Sequence, residues 1–152
     1  MQARPGDEAA RDRMAREIGV AAEAVVLAWT RAAESAPATV SAPQLKALLA
    51  IDHHGPVNLV RLSDRLGALP SSTSRLCDRL EVNGLVTREA GATDRREVTI
   101  TLTARGRAVL EQVRQARQAH FSRILAGMTP AERAELLAGL RRFAQLAPPP
   151  ED

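Results

Sequence analysis

The sequence predicts a mainly α-helical fold carrying one small β-hairpin, with a compact central unit between long helices at either end. Three observations predict it. Apolar residues recur at steps of three and four along most of the 152 residues, the spacing of one helical face. Four helices are announced by capping residues, at Ser41, Asn58, Thr103 and Thr129. Alternation with a period of two, the mark of a half-buried strand, occurs only across residues 85–102.

Taken in order, residues 8–34 form a first helix with Met14, Ile18, Ala21, Val25 and Ala28 along one stripe, and Pro37 breaks the chain after it. Ser41-Ala-Pro-Gln44 is a capping box that starts a helix burying Leu45, Leu48, Leu49 and Ile51 and ending at His54-Gly55-Pro56. Asn58 caps a short helix over 59–66, closed by Gly67. A tight turn leads to a helix over about 71–83 that opens with hydroxyl residues. Its predicted inner side is Leu69, Thr73, Leu76, Cys77 and Leu80. The strands Leu85–Glu89 and Glu97–Leu102 flank a turn-forming segment, with Val98, Ile100 and Leu102 on the buried face. Thr103 caps a long helix over 104–127, striped by Val109, Val113, Ala116, His120 and Ile124. Thr129-Pro-Ala-Glu132 is a second capping box before a last helix that uses Leu136, Leu137, Leu140 and Phe143.

Composition narrows the function classes. An apolar content of 45% argues against disorder of the whole chain. Trp29, Phe121 and Phe143 are the only aromatic residues, which argues against stacking single-stranded nucleic acid. Residues 59–107 carry nine arginines against six acids, the largest share of the net +3. Arg suits bidentate contacts to phosphate and guanine. A lone cysteine, Cys77, permits no internal disulfide. The N-terminus lacks the apolar stretch of a signal peptide and no apolar run is long enough to span a bilayer, so a soluble cytoplasmic protein with no membrane partner is expected.

The order short helix, tight turn, hydroxyl-rich helix and hairpin is that of a winged helix-turn-helix, in which one helix braces a second that enters the major groove of DNA. Ser71, Ser72, Ser74, Arg75, Asp78 and Arg79 fall on the face opposite the apolar one. Short hydroxyls at a helix start allow close approach to phosphate, and Arg75 is placed to reach a base edge, guanine above all. The hairpin tip, Asp94-Arg95-Arg96, suits a minor groove, with Asp94 bracing a neighbouring arginine.

Leu59-Val-Arg-Leu-Ser-Asp-Arg-Leu-Gly67, Ser71 through Arg88, Asp94-Arg-Arg96 and Leu102-Thr-Ala-Arg-Gly106 together resemble the MarR family of bacterial transcriptional regulators. The resemblance is close over some fifty residues and extends loosely to most of the chain. It implies a homodimer held by the first and last two helices, with a recognition helix in each of two major grooves and wings in the flanking minor grooves. By position, Ser71, Ser72, Ser74 and Arg75 become groove-facing and Arg95 and Arg96 become wing contacts, while Arg79, on the same outer face of the helix, is a further DNA-binding candidate. The resemblance further implies a repressor whose hold on a pseudo-palindromic double-stranded operator is relieved by a small lipophilic or phenolic effector. Cys77 and Thr73 stand where aliphatic residues are usual.

The implied division is a dimerisation helix over 1–40, a winged helix-turn-helix over 41–102 and dimerisation helices over 103–152. Trp29, with His53, is the candidate for lining an effector pocket between the first two helices and the fifth, against the plainer reading of core packing. Cys77 on the inner side reads as an inert core thiol rather than a redox sensor. His53, His54 and His120 lack metal-ligand spacing. No nucleophile–base pair, carboxylate dyad or phosphate-binding loop is visible, so no catalytic residue, cofactor or metal is expected. The rival reading is a winged helix used as a protein-interaction module without sequence-specific DNA binding.

Overall fold

A computed structural model describes residues 5–36, 40–90 and 98–147, with only the backbone described at Pro5, Gly6 and Ala90. The elements run α1 (Pro5–Glu34), α2 (Ala42–His54), β1 (Val57–Asn58), α3 (Leu59–Leu66), α4 (Pro70–Val82), β2 (Val86–Ala90), β3 (Val98–Leu102), α5 (Ala104–Ala126) and α6 (Pro130–Leu146). The fold is mainly helical with a small antiparallel sheet in the order β1-β3-β2.

The caps form as the residue types dictate. Ser41 Oγ accepts from the Gln44 N–H while Gln44 Oε1 accepts from the Ser41 N–H. Thr129 and Glu132 repeat this exchange at α6, so both helices begin with their first free donors satisfied. Asn58 Oδ1 accepts from the Arg61 N–H at 2.9 Å. Gly67 ends α3 in the left-handed conformation, at φ 62°, where a β-carbon would be strained.

The core lies where α2, α3, α4 and the start of α5 close on the sheet. Leu48, Ile51, Leu62, Cys77, Leu80, Ile100 and Leu110 are sealed there, a mainly aliphatic interior that also holds the hydroxyls of Ser63 and Thr73. β1 joins this core through Val57, which pairs with Ile100. At two residues it is too short for alternation to reveal, and Asn58 serves both as its end and as the cap of α3.

Some expectations are corrected. Leu69 is exposed, because it precedes the first turn of α4 and supplies only its carbonyl to Thr73. Val98 is also exposed: it pairs with Ala90 at the outer end of the hairpin, beyond the helices. In α2 the sealed positions are Ala47, Leu48 and Ile51, while Leu45 and Leu49 stay half-buried against a cavity. In α5 the inward stripe is Val109, Leu110, Val113 and Arg117, and Ile124 is exposed. Past Val113 the helix leaves the sheet and has α1 beside it, so the inward angle changes.

The terminal helices keep most of their apolar residues uncovered. In α1, Met14, Ile18 and Val25 are exposed and Ala32 is the fully buried residue. In α6 no residue is buried, and Leu136, Leu137, Leu140 and Phe143 all face outward.

Candidate nucleic-acid interface

α4 is two-faced, and its inner face is what holds it in place. Thr73, Leu76, Cys77 and Leu80 are buried against α2, α3 and the sheet. The buried Thr73 hydroxyl donates to the Leu69 carbonyl at 3.2 Å, so a polar atom stands among aliphatic ones without an unmet hydrogen bond. Opposite, Ser71, Ser72, Arg75, Asp78 and Arg79 are exposed and Ser74 is half-buried. Ser72, Arg75, Asp78 and Arg79 share one shallow concavity. Pro70 occupies the first helical position and Leu69 gives no side-chain cap, so the N–H groups at the start of α4 point outward unpartnered by a capping side chain, beside two serine hydroxyls.

α4 is joined to the hairpin by Arg88, an arginine to which helical spacing and motif assign no contact. Arg88 on β2 places Nη2 2.6 Å from Asp78 Oδ1 and 3.4 Å from the Ser74 carbonyl, and Nη1 3.3 Å from Glu81 Oε2. The pattern could have been sought in the sequence, since Asp78 and Glu81 lie three residues apart on one helix edge. Which later cation would meet them depends on the strand's register. Arg88 sits opposite Ile100 on β3, and that pairing was not readable. Cys77 lies beneath this cluster, fully buried. Burial pushes its thiol pKa up, and the nearby Arg88 charge offsets part of the rise.

Asp94, Arg95 and Arg96, the expected wing tip, lie outside the described residues. Strands β2 and β3, which carry the tip, pair from Val86–Leu102 to Ala90–Val98.

A second feature is a cavity of about 280 Å³ between α1, α2 and α5, lined by Thr30, Ala33, Leu45, Leu49, Lys46 and Arg117 among others. Trp29 and His53, the residues expected at a pocket, are not in its lining. Trp29 stands behind it: the Arg117 guanidinium lies 3.9 Å from the centre of its ring, a cation–π distance, and Phe121 meets the ring edge-on at 6.0 Å. His53 packs its ring against His54 instead. Arg117 is 9% exposed, and its Nε is buried with no hydrogen-bond partner. Among the described residues no three potential metal ligands gather, and no helix is long and apolar enough to cross a membrane.

The brace helix α3, the two-faced α4 and the β2–β3 hairpin define a winged helix-turn-helix protein. The MarR family's sequence profile matches residues 40–98. The uncharacterized HTH-type transcriptional regulator YfiV of Bacillus subtilis is 31% identical over 101 residues, 66% of this chain and 63% of YfiV. The HTH-type transcriptional repressor MdtR of the same organism is 30% identical over 108 residues, 71% of this chain and 70% of MdtR. The crystal structure of RV1404 from Mycobacterium tuberculosis superposes with a TM-score of 0.78 at 33% identity, covering 91% of this chain and 94% of that one. The chain belongs to the MarR family, whose members are winged helix-turn-helix transcriptional regulators and not enzymes.

Proposed function

We propose that this protein is a homodimeric, sequence-specific regulator that binds a pseudo-palindromic site in double-stranded DNA and represses transcription from it. The observation that carries the reading is the outer face of α4, where hydroxyls and two arginines stand free above a fully packed inner face. In this reading Ser71, Ser72, Ser74, Arg75 and Arg79 face the major groove, and Arg95 and Arg96, braced by Asp94, enter the minor groove. Residues 41–102 bind DNA while 1–40 and 103–152 hold two chains together, in the cytoplasm where the DNA is. The uncovered apolar residues of α1 and α6 support the dimer, because a second copy would bury them by symmetry. The name of MdtR, a repressor, favours repression over activation.

The cavity between α1, α2 and α5 is where a small effector would act. It touches both the terminal helices and the DNA-binding unit, so a ligand that fits one arrangement better shifts the spacing of the two recognition helices. Its mostly apolar lining suits a lipophilic or phenolic body. The buried, partly unpartnered Arg117 favours one carrying a negative charge.

Fluorescence anisotropy tests the reading with the gene's own promoter duplex and a scrambled duplex across a salt series. Preference for the promoter, with a log–log salt slope of several phosphates, is expected. Equal and weak binding to both would overturn it in favour of a protein-interaction role.

A further inference from the structure

The side chains of α4 that face outward carry a charge problem. Arg75 and Arg79 are matched by Asp78 and Glu81, so the helix that would enter the groove has no net side-chain charge. Two of its carboxylates would then stand within a Debye length of DNA phosphates, about 8–10 Å, where they repel. Asp78 and Glu81 sit one turn apart on the edge facing the hairpin, and there Arg88 reaches across from β2.

We infer that Arg88 is a positioning residue for DNA recognition: it masks the two carboxylates of the recognition helix, without contacting DNA itself. The inference rests on the DNA-binding reading above. The two guanidinium ends are divided between the acids, Nη2 to Asp78 Oδ1 at 2.6 Å and Nη1 to Glu81 Oε2 at 3.3 Å. A planar fork can hold two carboxylates at once, which a single ammonium cannot do with the same geometry. Nη2 also reaches the Ser74 carbonyl, so both ends are committed to protein acceptors. The side chain is 29% exposed, whereas Arg75 and Arg79 are exposed to solvent. The strand that bears the wing is thus tied to the outer edge of the recognition helix as well as to the core beneath it.

The test is a charge-rescue series with the full-length protein and its promoter duplex, read by anisotropy over a salt series, with thermal unfolding of each variant alongside. Arg88→Gln should bind about tenfold or more weakly, the scale of one lost charge interaction at a nucleic-acid surface. Adding Asp78→Asn and Glu81→Gln to it should restore affinity to within about threefold of wild type. Asp78→Asn/Glu81→Gln alone should bind at least as tightly as wild type, with a steeper salt slope. Arg88→Lys should fall between wild type and Arg88→Gln. A triple variant that stays as weak as Arg88→Gln would overturn the inference, because relief of the two carboxylates would then not account for the loss. So would wild-type affinity in Arg88→Gln. Should Arg88→Gln fail to fold, the acid-neutralised pair still decides, because weaker binding by that pair contradicts masking. Absence of salt-dependent binding in the wild type would instead strike at the DNA-binding reading itself.

Discussion

Gly106 and Leu85 approach each other so closely that a β-carbon on Gly106 would lie 2.1 Å from the Leu85 carbonyl oxygen. That oxygen cannot retreat. It accepts the Thr103 N–H at 3.1 Å, and Leu85 is buried between α4 and β2. The glycine of the Leu-Thr-x-x-Gly run is therefore what lets α5 start flush against the wing. Gly106→Ala should push α5 away and cost about 2–4 kcal/mol by overpacking, lowering Tm by roughly 5–15 °C. A circular-dichroism melt checks this, and an unchanged Tm would mean that α5 moves without cost.

The uncovered face of α6 predicts association. Phe143 is 65% exposed and Leu140 lies one turn before it on the same helix. Leu140→Glu combined with Phe143→Glu should convert a dimer to a monomer in multi-angle light scattering at micromolar concentration, since an interface core does not tolerate unpaired charge. The far-ultraviolet spectrum should stay helical, because neither residue touches the winged core. A dimer that persists would place the contact elsewhere.

Local signals made much of this fold legible. The capping boxes at Ser41 and Thr129, the Asn58 cap and the Gly67 stop all form as their residue types require. The two faces of α4 followed from helical spacing alone, apart from Leu69, which lies outside the first turn. What depends on packing between distant segments was not legible. Arg117 faces inward where Ala116 was expected, because Trp29 on α1 offers a ring to stack on. The union of Arg88 with Asp78 needs the strand register, and β1 exists only because Val57 meets Ile100. No single-sequence periodicity carries such pairings.

Cys77 should be chemically quiet. It has no exposed surface, and burial raises its thiol pKa, with the Arg88 charge as a smaller opposing influence. Native protein should therefore react with a thiol reagent only as fast as it opens, and peroxide should leave DNA binding unchanged. The sign of the pH effect follows. The folded state holds this proton more tightly than the unfolded chain, so the contribution to stability is complete below the ordinary thiol range. It is lost as pH climbs through that range towards the raised folded value. Cys77→Val should melt within about 1 kcal/mol of wild type at neutral pH and lose less stability on going alkaline. Rapid labelling of the native thiol would contradict this.

Arg117 offers a direct handle on the cavity between α1, α2 and α5. Burial lowers its pKa from the usual guanidinium value, yet it remains a cation at neutral pH, with one buried donor unmet. An aromatic carboxylate such as salicylate, used as a probe, should raise Tm in the wild type and not in Arg117→Met. At a hundred times its Kd, such a ligand adds about 2.7 kcal/mol of stability. Arg117→Met itself should fold at least as well without ligand, since methionine keeps the packing on Trp29 and removes a poorly solvated charge. An equal response in both proteins would place the anion site somewhere else.

Arg75 carries the most specific prediction about recognition. It stands one turn into α4, exposed, with its neighbours Ser71 and Ser72 nearer the helix start and Arg79 one turn beyond. A residue at that depth meets base edges, while those nearer the end meet phosphate. Arg75→Ala should therefore relax the preference at one base pair per half-site, guanine being the base lost, at about 1–3 kcal/mol per contact. Arg79→Ala, if Arg79 pairs with phosphate, should weaken all sequences alike and reduce the salt slope by about one. Selection from a randomised duplex pool, followed by sequencing, separates the two. An unchanged consensus for Arg75→Ala with a reduced salt slope would assign Arg75 to the backbone, and the base-reading side chain would have to be sought in Ser72 or Arg79, which share its concavity.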